Sequence, residues 1–192
     1  MNFLSKSLLS FATAGACILF DIAPVAAGIF PTRGRFVIEH RVSGLVLNVP
    51  GGPRAGNLVG VNLWQRVPGD MEQVWFSSLR TDSYSQIRNI SGTSNSFGGA
   101  CLNLTRARSG TGVTTYNCVP GDRLQGFTRI YPRYGGRREM LIMLKTNNPY
   151  HFPQSRCLRS LHRRAQWNGM PVVIDRCDFN DPSQWWRVLQ IR

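Results

Sequence analysis

The side chains best suited to acid–base, nucleophilic or metal chemistry are few in this sequence. The three histidines are His40, His151 and His162. None has paired carboxylates, a nucleophile elbow or a second ligand at metal-binding spacing near it. His162 stands in "LHRRAQW", where the neighbouring arginines favour a surface or partner contact over a base. We therefore expect no enzyme activity, no metal and no cofactor, and we look for binding instead.

Residues 1–27 have the three-part layout of a secretory signal peptide. An apolar run over 8–20 follows Lys6, and 25–27 form a small-residue cleavage site. The apolar run is too short to span a bilayer. We expect cleavage near Ala27 and secretion, first to the periplasm and then outside the cell.

Four of the five cysteines follow this segment. In an oxidising compartment an even number of cysteines predicts disulfides. Cys17 lies inside the segment, in a stretch that faintly resembles a lipoprotein processing site but lacks the usual leucine. We do not expect lipoprotein anchoring.

The chain is strongly basic, with a formal net charge of +13. The charge is mostly arginine, with clusters at 133–138 and 159–164. Arginine suits phosphate, sulfate, carboxylate and aromatic partners, although a solvated basic surface is the plainer interpretation. A secreted, disulfide-bonded protein rarely meets nucleic acid, so we expect a cell-surface glycan, an anionic lipid or an acidic partner subunit.

Three segments of the sequence line up without a gap: "VNLWQRVPGDMEQVW" (61–75), "VTTYNCVPGDRLQGF" (113–127) and "VVIDRCDFNDPSQWW" (172–186). Each begins with valine and ends in Gln-x-aromatic. The corresponding pairs are Gln73 and Trp75, Gln125 and Phe127, and Gln184 and Trp186. Such self-similarity predicts a repeat architecture.

The repeat also aligns the cysteines and predicts the fold. Val46, Cys101 and Cys157 correspond, as do Arg66, Cys118 and Cys177. We expect Cys101 to pair with Cys118 and Cys157 with Cys177, so that unit one has no bridge. Short apolar runs broken by Gly and Pro predict about four strands per unit and no convincing helix.

About twelve strands with threefold pseudo-symmetry are the expectation for an all-β protein of the β-trefoil class. We expect a single domain over 37–192, with units at about 37–82, 83–136 and 137–192 and an extended arm at 28–36 before them.

The cysteine pairs followed by Gln-x-Trp or Gln-x-Phe resemble the ricin-type β-trefoil lectins over essentially the whole chain after the signal segment. Within that superfamily, a secreted basic trefoil of this length is similar to the A and C binding subunits of bacterial cytolethal distending toxins. The resemblance implies a non-catalytic cell-surface-binding subunit whose partners are a nuclease-like subunit and a second trefoil subunit. The missing lipoprotein site favours the C subunit. The alternative is a stand-alone secreted lectin.

The resemblance also implies where sugar would bind. A competent lobe has an aspartate two residues after the first cysteine and an aromatic ring two residues before the second, with polar groups near the glutamine. The aspartate positions here hold Asn48, Asn103 and Arg159, and the ring positions hold Trp64, Tyr116 and Asp175. The candidates are Asn48, Asn62, Trp64 and Gln73 in lobe one, and Asn103, Thr114, Tyr116 and Gln125 in lobe two.

Because no lobe keeps the aspartate, we expect tight galactose binding of the ricin kind to be absent and lobe one to be the best weak site. Two alternatives stay open. Trp64 and Tyr116 can be half-buried cross-strand aromatics. The glutamines can secure backbone groups beside the core, which is the interpretation that we prefer.

Three further residues are candidate partner or surface contacts. Arg33 and Arg35 lie in the arm at 28–36, for which a frayed terminus is the alternative. Trp185 corresponds to Val74 and Gly126, so the repeat requires no ring there, and strand alternation points it away from the core.

Overall fold

The computed structural model describes residues 26–28, 30–31, 34–51, 57–80, 84–91, 100–131, 139–144, 155–163 and 167–191. Strands and short 3-10 turns form the regular structure of these residues, and none of them is in an α-helix. No helix among them is long and apolar enough to cross a membrane. The predicted all-β class is confirmed.

After a short strand β1 (Ala26–Gly28), twelve strands follow in three groups of four. Unit one contains β2 (Arg35–His40), β3 (Val46–Asn48), β4 (Asn62–Trp64) and β5 (Trp75–Arg80). Unit two contains β6 (Ser85–Asn89), β7 (Ala100–Leu104), β8 (Val113–Asn117) and β9 (Gly126–Tyr131). Unit three contains β10 (Leu141–Leu144), β11 (Arg156–Ser160), β12 (Met170–Arg176) and β13 (Trp186–Ile191). A 3-10 turn precedes each fourth strand, at Met71–Gln73, Arg123–Gln125 and Pro182–Gln184.

The first and fourth strands of the units form a closed antiparallel ring. β2 pairs with β5 and β13, β6 pairs with β5 and β9, and β9 pairs with β10. A bridge between Met140 and Trp186 closes the ring between β10 and β13. The ring therefore needs all three units, which makes them parts of one fold.

The second and third strands of each unit form a hairpin, and the three hairpins contact one another in cyclic order. The residue before the shared valine of one unit pairs with the residue after the shared valine of the next unit. The pairs are Gly60 with Thr114, Gly112 with Val173, and Pro171 with Asn62. The repeat in the sequence thus corresponds to threefold symmetry in the structure.

The aromatic residue that starts the fourth strand lies in the main core of every unit. Trp75, Phe127 and Trp186 are fully buried there. The Trp75 indole N–H donates to Leu47 O at 3.1 Å, and the Trp186 indole N–H donates to Leu158 O at 3.0 Å. Phe127 fills the same position with a ring that carries no polar group.

Both predicted disulfides are confirmed. Cys101 bonds to Cys118 and Cys157 to Cys177, with sequence separations of 17 and 20 residues. Each bridge ties the second strand of its unit to the chain just after the third strand. By the chain-entropy estimate such loops each contribute roughly 3 kcal/mol. In unit one the equivalent buried position is Val46.

The segment predicted to be an extended arm is anchored by Phe30. Its side chain is fully buried in the main core and stacks on Phe36, with the ring centroids 6.0 Å apart. The Arg129 guanidinium lies 5.6 Å from the Phe30 ring centroid. The backbone of β1 pairs with Arg129–Tyr131 of β9. The segment predicted as an extended arm is therefore attached to the trefoil at Phe30, because burial of a large apolar side chain stabilises the packed position. Arg33 lies outside the described residues.

We predict that Phe30→Ala lowers the free energy of unfolding by about 3–5 kcal/mol, the usual range for deleting a buried phenylalanine ring. Urea denaturation measures the change. The control is Val42→Ala, since Val42 is 47% exposed and its truncation should stay within about 0.5 kcal/mol. Equal midpoints for the two variants would contradict the anchoring of Phe30.

Candidate functional site

A buried glutamine secures the turn before the fourth strand in every unit. In unit one, Gln73 Oε1 accepts a hydrogen bond from Val67 N at 2.8 Å, and Gln73 Nε2 donates to Gln65 O at 2.9 Å. The chain leaves its strand pairing here, so these backbone groups need another partner. The side-chain amide of Gln73 is that partner.

Units two and three repeat these contacts atom for atom. The bonds are Val119 N to Gln125 Oε1 (2.8 Å), Gln125 Nε2 to Asn117 O (2.8 Å), Asp178 N to Gln184 Oε1 (3.0 Å) and Gln184 Nε2 to Arg176 O (2.8 Å). All three glutamines are buried. The geometry of Gln73 and Gln125 therefore fits the backbone role and not that of a sugar ligand.

An aspartate caps the same turn in every unit, and the sequence reasoning missed it. Asp70 Oδ1 accepts from Glu72 N at 2.9 Å, and Asp122 and Asp181 make the equivalent bonds to Leu124 N and Ser183 N at 2.9 and 3.0 Å. This is ordinary capping of a first helical turn. The signal was available, because an aspartate stands three residues before each glutamine.

Lobe one brings an exposed tryptophan beside a pair of amides. Asn48 and Asn62 face each other across β3 and β4 in register, and Asn48 Nδ2 donates to Asn62 Oδ1 at 3.0 Å. Trp64 is 38% exposed. The turn of unit three that contains Asn168 lies against it, with Gln65 N donating to Asn168 Oδ1 at 2.7 Å. We call Asn48, Asn62 and Trp64 the lobe one site.

Lobe two also has a hydrogen-bonded polar pair and an exposed ring, made by different side chains. Asn103 Nδ2 donates to Thr114 Oγ1 at 3.3 Å, and Asn103 Oδ1 accepts from Gln125 Nε2 at 3.3 Å. Tyr116 is 38% exposed, the same fraction as Trp64. We call Asn103, Thr114 and Tyr116 the lobe two site. In both lobes an accessible ring shares its strand with a polar residue that is hydrogen-bonded to a buried asparagine, Asn48 in lobe one and Asn103 in lobe two.

Lobe three has an ion pair in place of the ring and the amide. Arg159 Nε lies 3.0 Å from Asp175 Oδ2. Burial by itself would raise the pKa of Asp175, but hydrogen bonds from Arg176 N and Ser109 and the charge of Arg159 outweigh burial and lower the pKa. Asp175 therefore stays ionised and paired. An open cleft of about 370 Å³ adjoins it, lined by Arg163, Asp175, Arg176, Cys177 and Asp178.

The structure describes two of the three histidines, His40 and His162. His40 is buried, its Nε2–H donates to Ser183 O at 3.1 Å, and its Nδ1 accepts from Ser43 Oγ at 2.9 Å. Burial lowers the pKa of His40, so it is a neutral core residue. His162 lies against the Trp167 ring, with centroids 5.2 Å apart. His151 lies outside the described residues, among which no group of His, Cys, Asp and Glu is placed to hold a metal ion.

Two of the predicted partner contacts can be placed. Arg35 is exposed at the start of β2. Trp185 is half-buried against a small cluster that includes the Cys157–Cys177 bridge, separate from the main core that holds Trp186. The Trp185 indole N–H donates to Phe179 O at 3.1 Å, and the Arg41 guanidinium lies 5.6 Å from its ring. Only part of the Trp185 ring is therefore available to a partner.

No protein-family model matches the sequence, and the search of curated proteins found no match either. Solved structures do match the fold. The designed threefold-symmetric protein ThreeFoil matches with a TM-score of 0.65 and 18% identity, covering 83% of this chain and 100% of its own. The Rhizoctonia solani agglutinin matches with a TM-score of 0.63 and 15% identity, and the match covers 88% of this chain and 100% of the agglutinin. The Macrolepiota procera ricin B-like lectin, solved in complex with lactose, matches with a TM-score of 0.60 and 16% identity, and the match covers 84% of this chain and 99% of the lectin.

At identities this low, a structural match establishes the fold and nothing more. Together with the closed ring and the three hairpins, these matches show that the protein has the β-trefoil fold, as the repeat predicted. Its structural neighbours include ricin B-like lectins.

Proposed function

We propose that this chain is a non-catalytic glycan-binding protein that uses the lobe one and lobe two sites. The observation that carries the proposal is an exposed ring at the same repeat position in both lobes, next to amides held in place by hydrogen bonds. A pyranose has an apolar C–H face that packs on such a ring and hydroxyl groups that bond to amides. The lectin fold neighbours, one of them solved with lactose, support the same ligand class.

The chemistry of each lobe sets its expected strength. Asn62 Oδ1 is occupied by Asn48, which leaves the Asn62 Nδ2 group to donate to a sugar hydroxyl. Neutral amides form weaker hydrogen bonds than a carboxylate, by about 1 kcal/mol each. We therefore propose weak binding in lobes one and two. Lobe three is excluded, because its ion pair offers a sugar no ring.

We predict that Trp64→Ala weakens sugar binding at lobe one by at least about tenfold, since the stacking contact of an aromatic ring is worth about 1 kcal/mol beyond its buried area. Titration calorimetry or NMR with a galactoside series measures the change. Asp175→Ala is the matched control at the equivalent position of lobe three, and it should leave affinity unchanged. Tight galactose binding that is abolished by Asp175→Ala would contradict the proposal.

Within this function, we propose that the chain is the cell-surface-binding subunit of a secreted multi-subunit toxin of the cytolethal distending type, with the C subunit favoured. The supports are the secretory layout of residues 1–27, the net charge of +13 and the resemblance of the repeat. The proposed partners are a nuclease-like subunit and a second trefoil subunit. The proposed target is a glycan or lipid of the host cell surface, reached after secretion.

Whether the chain binds a partner protein distinguishes this proposal from a stand-alone secreted lectin. A toxin subunit should co-purify with a nuclease-like protein encoded next to it when the neighbouring genes are expressed together. Pull-down on a tag at the C-terminus of this chain, followed by mass spectrometry, measures the association. A lone gene and a monomer that still binds sugar would favour the lectin.

A further inference from the structure

One residue beside the lobe two site holds a backbone conformation that its type disfavours. Three residues before the shared valine, each unit has a residue in the left-handed region: Leu58 (φ 64°), Gly110 (φ 80°) and Gly169 (φ 87°). Glycine adopts this conformation without strain, whereas a branched side chain does not. Leu58 is the one non-glycine residue with positive φ in the described part of the chain.

The three residues are placed alike by the threefold symmetry. Their backbone N–H groups donate to Thr115 O at 2.6 Å, Ile174 O at 2.8 Å and Leu63 O at 2.8 Å, respectively. Because Thr115 N also donates to Val59 O at 3.0 Å, Leu58 and Val59 both face Thr115, as in a β-bulge. Leu58 therefore lies beside the position of Tyr116, and Gly169 lies in the same way beside that of Trp64.

The equivalent position in unit three indicates how near the ring this residue lies. A Cβ atom built on Gly169 would lie 3.7 Å from the Trp64 ring, which is van der Waals distance. By the threefold symmetry we expect the Cβ of Leu58 at the equivalent place beside Tyr116. Tyr116 is 38% exposed, as Trp64 is, so its ring is still open to a ligand beside the exposed leucine.

The stability of the fold does not account for a leucine at this left-handed position. Its side chain is 55% exposed, so little burial offsets the backbone strain, and two of the three units have glycine at this turn. Strain that the fold does not need is a feature of binding sites.

We propose that Leu58 is a specificity-determining residue of the lobe two site, selecting sugars that carry a methyl-terminated substituent beside the face that stacks on Tyr116. The inference rests on the proposed glycan binding. The isobutyl group of Leu58 would contact the methyl group of an acetamido substituent or of a 6-deoxy sugar. Lobe one has Gly169 at this place and makes no such selection.

The test uses three methyl glycosides: β-D-galactoside, its 6-deoxy form and its 2-acetamido form. NMR titration follows lobe two at the amide signals of Tyr116 and Asn117 and lobe one at the Trp64 indole signal. We expect one of the methyl-bearing sugars to bind lobe two about four-fold tighter than galactoside, the gain from burying one methyl group. The identity of that sugar distinguishes the two substituents. Leu58→Gly should remove the preference, and lobe one should show none.

The matched control is Val119→Ala, which shortens an exposed apolar residue of unit two and should keep the preference. Leu58→Gly should also leave the thermal midpoint unchanged or raise it. A lower midpoint would assign the leucine to stability and overturn the inference. Signals at Tyr116 that titrate equally with all three sugars would overturn this inference alone. No titration at either lobe would overturn the proposed glycan binding itself.

Discussion

One contact, made three times, determines the rest of this structure. In every unit a glutamine amide bonds to backbone groups six and eight residues before it. The chain leaves its hairpin pairing there, and the buried glutamine amide is the partner that these backbone groups would otherwise lack. The amide and the aspartate cap together fix where the fourth strand begins. That start places Trp75, Phe127 and Trp186 in the main core.

The glutamine, the aspartate cap and the buried aromatic residue hold the turn and the fourth strand of each unit in place. The residue type at the neighbouring ring position can therefore differ from unit to unit. Trp64, Tyr116 and Asp175 occupy equivalent places on the third strand, opposite Val46, Cys101 and Cys157, respectively. The same backbone position therefore holds an exposed ring in units one and two and a member of an ion pair in unit three. The proposed difference in binding between the lobes lies in side chains on which the fold does not depend.

Periodicity explains what could be predicted from the sequence. The Gln-x-aromatic spacing and the aligned cysteines recur in register, and they predicted the trefoil and its disulfides. The ring positions were implied by the resemblance to the ricin-type lectins. Of the missed features, only the aspartate cap recurs in the repeat. Phe30 precedes the repeats, and it is buried by packing against residues far away in the sequence, such as Arg129, which no local pattern reveals. Asp175 and Arg159 could be paired only once the register of β11 and β12 was known. The left-handed backbone of Leu58 is invisible in a residue type that normally avoids it.

The glutamines secure the turns of the trefoil, and the exposed rings form the proposed binding surface. Comparing Gln73→Ala with Gln184→Ala separates the two roles, because of these two glutamines only Gln73 lies in a lobe with an open ring. Both variants should lose a similar free energy of unfolding, about 2–3 kcal/mol for the backbone groups left unpaired. The folded Gln73→Ala protein should keep its affinity for sugar. Loss of sugar binding in Gln73→Ala with unchanged stability would instead make Gln73 a sugar ligand.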